Sequence, residues 1–321
     1  MRLLPLSTSA VLASALLFTG CVNIEFDHGS SDRFQEDFHF SYELQPNGHV
    51  IAETFNGKIY IVGWDENKVD ISGTKYGSTE RLRDAVKVET HNSASSVEIR
   101  ASKPSSMSSG SSGARLVIKV PKQALVERVT SSNGAILVER VGSASHMKTS
   151  NGSIRVVDTA GDLELRTSNG QIEVERLKGN LSARSSNGKV RAEDVSGNCD
   201  VETSNASINI RVSEPTAAPV KLSTSNGAIE LTMEKAPKGD IRAESSNGSI
   251  TVKLPSNTGA RVTADTSNSS ISSEFDMMTQ GGSDREKKNH LNGTIGSGGP
   301  TIDLTTRNGH IRILKATASG N

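Results

Sequence analysis

Along most of this chain apolar and polar residues alternate in short runs, and the runs return at a fixed interval. The stretch "LRTSNGQIEV", starting at Leu165, is answered eighteen residues later by "ARSSNGKVRA", starting at Ala183. Aligned on the Asn, the series runs Asn133, Asn151, Asn169, Asn187, Asn205, Asn226, Asn247 and Asn268, and reaches Asn308 after an insertion. The steps are 18, 18, 18, 18, 21, 21, 21 and 40. Four places before the Asn stand apolar residues such as Val129, Leu165 and Leu222, and two places before stands Ser or Thr at every copy. Three places after is Ile or Val without exception, from Ile136 to Ile311. The residues between are charged or polar without a consistent sign. Period-two alternation with one apolar face predicts half-buried strands, and a repeat near twenty residues predicts a repeat architecture. Each repeat reads as strand, Asn-Gly turn, strand and a second bend near "LKGN" or "VSGN". No segment beyond the first twenty residues shows a helical period.

Two folds produce such a pattern. Asn-Gly between alternating strands is the strongest short hairpin signal, because both residues accept positive φ, and a run of hairpins builds a meander. In a β-solenoid each repeat is one coil stacked in parallel on the next. A meander sets a residue opposite an antiparallel partner, so nothing requires Ser or Thr at one place nine times. A solenoid sets it between copies of itself, and stacked Asn side chains then hydrogen-bond one another. The column identities therefore predict an all-β parallel β-helix of 18–21-residue coils, with the nine Asn as a structural ladder supporting positive-φ corners. The three extra residues after Asn205 fall at a corner, near Pro215 and Pro237. The Ser/Thr column shares the phase of the apolar columns and is expected to pack inward.

The columns extend backwards. "VIAETFNGKIYIVGW" places Val50, Ala52, Thr54, Asn56, Ile59 and Ile61 in phase, and "VKVETHNS" reads as a degenerate copy with Val86, Val88, Thr90 and Asn92. Residues 36–315 are expected to form one repeat domain and 316–321 a tail. Two segments break the rhythm, 102–113 and 277–290, and read as mobile loops. At the other end Arg2, the apolar run Val11–Phe18 and "LFTGC" have the form of a secretory signal, too short for a typical membrane span. The ending resembles a bacterial lipobox, which implies cleavage before Cys21 and its acylation. Residues 1–20 are then the signal, and 21–35 the lipidated N-terminus and tether. The anchor is expected in the cell membrane or the outer membrane, facing the periplasm or the surface; Val22, where an Asp would favour the inner membrane, points to the outer one in a Gram-negative cell.

Composition narrows the chemistry. Thirty-six Lys and Arg balance thirty-six Asp and Glu, which argues against a nucleic-acid partner. With Cys21 acylated, Cys199 has no disulfide partner; it aligns with Leu163 and Leu181 and is expected to be buried. The seven His residues show no metal-ligand spacing, with His91, His146 and His310 in unrelated columns, and no cofactor motif occurs. Some parallel β-helices are polysaccharide lyases or hydrolases, so an enzyme is the rival class. Here outward acids such as Glu164, Asp200, Glu202, Glu244 and Asp265 are interspersed with Arg166, Arg184 and Arg242, as on a solvated face. The expected role is a non-catalytic scaffold or binding surface, anchored through Cys21, with a glycan or an envelope protein as ligand.

The lipobox, the Ser-Asn-Gly turns and the late "LNGTIGSGGPTIDLTTRNGHIRI" together resemble a bacterial family of uncharacterised cell-envelope domains labelled as adhesins. The resemblance covers most of residues 40–315. It implies a parallel β-helix on an exported protein and supplies no catalytic residues.

Overall fold

The computed structural model describes residues 33–103, 110–279 and 288–316. The signal, Cys21, most of the tether and the tail beyond residue 316 lie outside the described residues. So do the centres of both rhythm-breaking segments.

The repeats form a β-solenoid in which each coil contributes one strand to each of two sheets, of 13 and 14 strands. From the 125–139 coil to the 241–254 coil the rungs stack in sequence order and in parallel register. The column three places after the Asn runs unbroken through Ile59, Ile136, Ile154, Ile172, Val190, Ile208, Ile229 and Ile250. The inward columns make a thin continuous core, with Ile154, Leu165, Ala183 and Val201 among the residues at 0–1 % exposure. Small side chains alternate with larger ones between the sheets, so few aromatics are needed to fill it. The extra residues of the longer coils lie at corners, between Val212 and Val220 and between Met233 and Ile241.

At both ends, space departs from sequence order. The 49–64 coil lies between the 125–139 coil and the 96–121 coil. At the far end the 301–315 coil is inserted between the 241–254 and 260–273 coils. The series that sequence arranges as Asn247, Asn268, Asn308 therefore stacks as Asn247, Asn308, Asn268.

The open rungs are covered by antiparallel strands. Phe34–Glu43 and Lys68–Gly77 extend the first sheet, Lys87–Asn92 borders Ser96–Ser102, and His290–Ile295 with Met277–Thr279 closes the second sheet. Three expectations are corrected here. "VKVETHNS" is an antiparallel cap strand and not a coil. Both interrupting segments begin or end in strand, at Ser112–Pro121, Met277–Thr279 and His290–Ile295. A one-turn helix, Glu80–Asp84, is present, with the Thr79 hydroxyl accepting the Leu82 amide at 3.2 Å. The cap strands answer the exposed edges that a stack of parallel coils leaves at its ends.

Candidate functional site

Two corners join the sheets in every coil, and they are built differently. At the Ser-Asn-Gly corner the nine predicted Asn form one chain of side-chain hydrogen bonds. Each Nδ2 donates to the Oδ1 of the preceding rung at 2.6–2.8 Å, from Asn151 onto Asn133 through to Asn268 onto Asn308. All nine are exposed. Beneath them the Ser/Thr column is buried, from Ser131 to Thr306. Its hydroxyls donate across the stack, Thr149 to Gly134 O and Thr167 to Gly152 O at 3.0 Å each. The same hydroxyls accept the glycine amide of their own turn, as Gly152 N does onto Thr149 Oγ1 at 3.2 Å.

The expected reason for Asn-Gly is corrected. No ladder Asn has positive φ, and of these glycines only Gly57 lies in the left-handed region, at 121°. What excludes a side chain is the neighbouring rung. A Cβ on Gly170 would stand 1.8 Å from Gly152 O, and one on Gly188 1.7 Å from Gly170 O. At the glycine rungs the turns stack too closely for a side chain, while Ala206 and Ser269 hold this position in the other two rungs.

The strained residues stand at the second corner, where alternation did not single them out. Arg140, Asp158, Arg176 and Asp194 have φ of 53–57°, one per coil. Each bends the chain, which beyond Asp158, Arg176 and Asp194 still pairs with the neighbouring coil, and their charges alternate in sign up the stack. Arg176 grips Asp158 with two bonds, Nε to Oδ1 at 2.5 Å and Nη2 to Oδ2 at 3.0 Å. That bond holds the Asp158 carboxyl below the usual carboxylate range, against the opposing effect of partial burial. A shallow groove of about 480 Å³ follows this corner, lined by Asp158, Thr159, Arg176, Lys178, Asp194 and Ser196 among others. Thr159 is 5 % exposed and its hydroxyl has no partner. The signal in sequence is an eighteen-residue spacing of Arg, Asp, Arg, Asp.

The outer sheet faces carry charge in short-range pairs. Arg155 bonds Glu173 and Glu175 at 3.0 and 2.8 Å, Arg191 bonds Glu193 at 2.6 Å, and Lys253 bonds Glu230 at 2.6 Å. Of the outward acids, Glu164 lies against Arg166 and His146, Asp200 and Glu202 against Arg184, Glu244 against Arg242, and Asp265 against His290. His310 reaches the Ser269 and Ser270 hydroxyls at 2.7 and 3.1 Å. Among the described residues no three His, Cys, Asp or Glu side chains come together as a metal site. Cys199 sits between the sheets at 0 % exposure, next to Leu181 in register, and burial pushes its thiol up to about 12.

Comparison with solved structures finds low-identity neighbours. A putative adhesin from Parabacteroides merdae ATCC 43184 is 10% identical, with a TM-score of 0.45, covering 88% of this chain and 98% of that one. A putative adhesin from Parabacteroides distasonis ATCC 8503 is 9% identical, with a TM-score of 0.42, over 87% and 97%. A putative lipid binding protein from the same organism is 12% identical, with a TM-score of 0.35, over 89% and 98%. No curated protein matches. The family model that matches spans residues 50–314, from the first coil to the last, and by that match the chain belongs to the Toastrack DUF4097 family.

Proposed function

We propose that this protein is an exported lipoprotein whose β-solenoid presents a non-catalytic binding or scaffolding surface at the cell envelope, held there by acylated Cys21. The observation that carries the reading is the disposition of charge. Ionisable side chains on both outer faces neutralise one another within a rung or between adjacent rungs, as Arg155, Glu173 and Glu175 do. A general acid or base needs a group whose environment moves its pKa toward working pH. Among the described residues the Asp158 carboxyl is moved the other way, lowered by its hydrogen bonds from Arg176. A rigid stack with regularly repeated polar rungs suits contact with an extended partner, a glycan or another envelope protein.

Two measurements test the reading. In a bacterial host, the native chain should incorporate an alkyne fatty acid and fractionate with membranes. Cys21→Ser should do neither; unchanged labelling would place the lipid elsewhere and remove the anchor from the proposal. Incubated with acidic and neutral polysaccharides, with and without calcium, the purified protein should generate no new reducing or unsaturated ends. Product formation would replace the binding surface with a lyase or hydrolase.

A further inference from the structure

The sequence contains ten Asn-Gly pairs. This dipeptide is chemically fragile, because a glycine nitrogen, unhindered by a Cβ, readily reaches the preceding Asn side chain. The nitrogen attacks Cγ, its proton is lost to water, the Cγ–Nδ2 bond breaks, and ammonia leaves. Water then opens the resulting succinimide to aspartate or isoaspartate. No oxidant or reductant takes part.

Seven of these pairs lie in the stacked corners, and in all seven the attacking nitrogen is occupied. Gly134, Gly152, Gly170, Gly188, Gly227, Gly248 and Gly309 each donate their N–H to the Ser or Thr hydroxyl three residues earlier, at 2.9–3.3 Å. The hydroxyl is buried, so solvent base does not reach the proton. The other reactant is held as well, since each interior ladder Asn donates to one neighbour and accepts from the next, as Asn169 does between Asn151 and Asn187.

The Asn56-Gly57 turn has the same sequence form and a different wiring. The Thr54 hydroxyl donates to Asn56 O at 3.1 Å and Ala114 O at 3.4 Å, and forms no bond with Gly57 N. Asn56 itself is half-buried and only donates, to Ser112 O at 3.0 Å. The two remaining pairs are held by backbone: Gly48 N donates to Gln45 O at 2.9 Å, and Asn292-Gly293 lies within the strand His290–Ile295.

We infer that the buried Ser/Thr column guards the Asn-Gly corners against succinimide formation, and that Asn56 is the site at which the folded protein deamidates. The column thus has a chemical role besides packing.

The test is peptide mapping of the full chain aged in mildly alkaline buffer, resolving Asn, Asp and isoaspartate at each site. In the folded protein Asn56 should convert several-fold, up to about tenfold, faster than Asn169 and the other six ladder sites, the range expected from one ordinary hydrogen bond. In denaturant the ten pairs should converge to similar rates. Equal rates in the folded state, or faster conversion in the ladder than at Asn56, would overturn the inference. A second arm uses Thr167→Val, which keeps the shape and removes the hydroxyl. Asn169 alone should accelerate; a folded variant with unchanged Asn169 would exclude the guard. Should that variant not fold, the comparison within the native chain still decides.

Discussion

Asn187 and Gly188 are neighbours in sequence, and the stack uses them for different things. Asn187 carries two exposed side-chain bonds, to Asn169 and from Asn205, at 2.8 and 2.7 Å. Gly188 supplies the absence of a side chain where the preceding turn, at Gly170 O, passes. Gly188→Ala drives a Cβ into backbone and should cost about 3 kcal/mol or more, at the upper end of overpacking. Asn187→Ala removes two solvent-exposed bonds and should cost roughly 1–2 kcal/mol. Because Asn187 has no positive φ, Asn187→Gly should be no better than Asn187→Ala in urea unfolding; a clear advantage for Gly would restore the strained-corner account. Cys199 gives a second residue-scale test. Its folded pKa of about 12 lies above the unfolded value of about 8.5, so the folded state favours the neutral thiol. The stabilisation is full below the unfolded value and is lost as pH rises from there toward 12. By pH 10 about 2 kcal/mol has been lost, a loss that Cys199→Ala should not show. A thiol reagent should accordingly modify native Cys199 slowly and the unfolded chain fast. The burial of Cys199 was legible because it occupies a Leu column. The reason for Gly188 was not, since sequence shows which residue is small and not what passes beside it.

In the 18-residue coils the decisive element is the bent strand, for example Ile172–Lys178, which turns at Arg176 without ending. Alternation located these strands and not the bend, because Arg rarely adopts left-handed backbone and the column mixes it with Asp, which does so more readily. Gly179 and Gly197, three places beyond the bends at Arg176 and Asp194, attracted the turn assignment instead. The strain makes a prediction that separates two members of one column. Arg140→Gly relieves a left-handed residue whose ion pair to Glu139, at 3.5 Å, is partly solvated. It should raise stability by about 1 kcal/mol. Arg176→Gly relieves the same strain and severs the paired bonds to Asp158, so its gain should be smaller or reversed. The Asp158 pKa is depressed in the folded state, so the contribution of the pair is present above the unfolded carboxylate value near 3.9 and is lost as pH falls through the folded value. The stability difference between Arg176→Gly and Arg140→Gly should therefore narrow below about pH 4. A gap that stays constant through the acid range would mean that Asp158 and Arg176 are not coupled through charge.

The order of rungs is a property of the whole molecule, and the chain's last coil is not its last rung. Repeat proteins fray from their ends, because an outermost unit has a neighbour on one side only. Here the 301–315 coil is enclosed on both sides, its strand Ile311–Lys315 lying between Ile250–Leu254 and Ile271–Ser273. The outermost rung of the first sheet is Ile271–Ser273, which is three residues long, half-buried to exposed, and paired with a strand on one side only, with the Ile271 amide donating to Lys288 O at 2.9 Å on the other. Column alignment could not reveal this, since copies that share a column fit equally well as successive or exchanged neighbours. The 40-residue step before Asn308 gave room for the exchange without demanding it. Interleaving ties the end of the stack to a segment that lies further along the chain, so local opening at Ile271–Ser273 does not release the C-terminal coil. Amide exchange reads that order directly, as protection follows the free energy of local opening. The amides of Ile311–Lys315 should exchange more slowly than those of Ile271–Ser273, although they lie closer to the C-terminus in sequence. At the other end the enclosed strand Ile59–Trp64 should likewise outlast the edge strand Phe34–Glu43. If protection instead declined steadily toward the C-terminus, with 301–315 the first segment to exchange, the coils would be stacking in chain order and the inserted rung would be wrong.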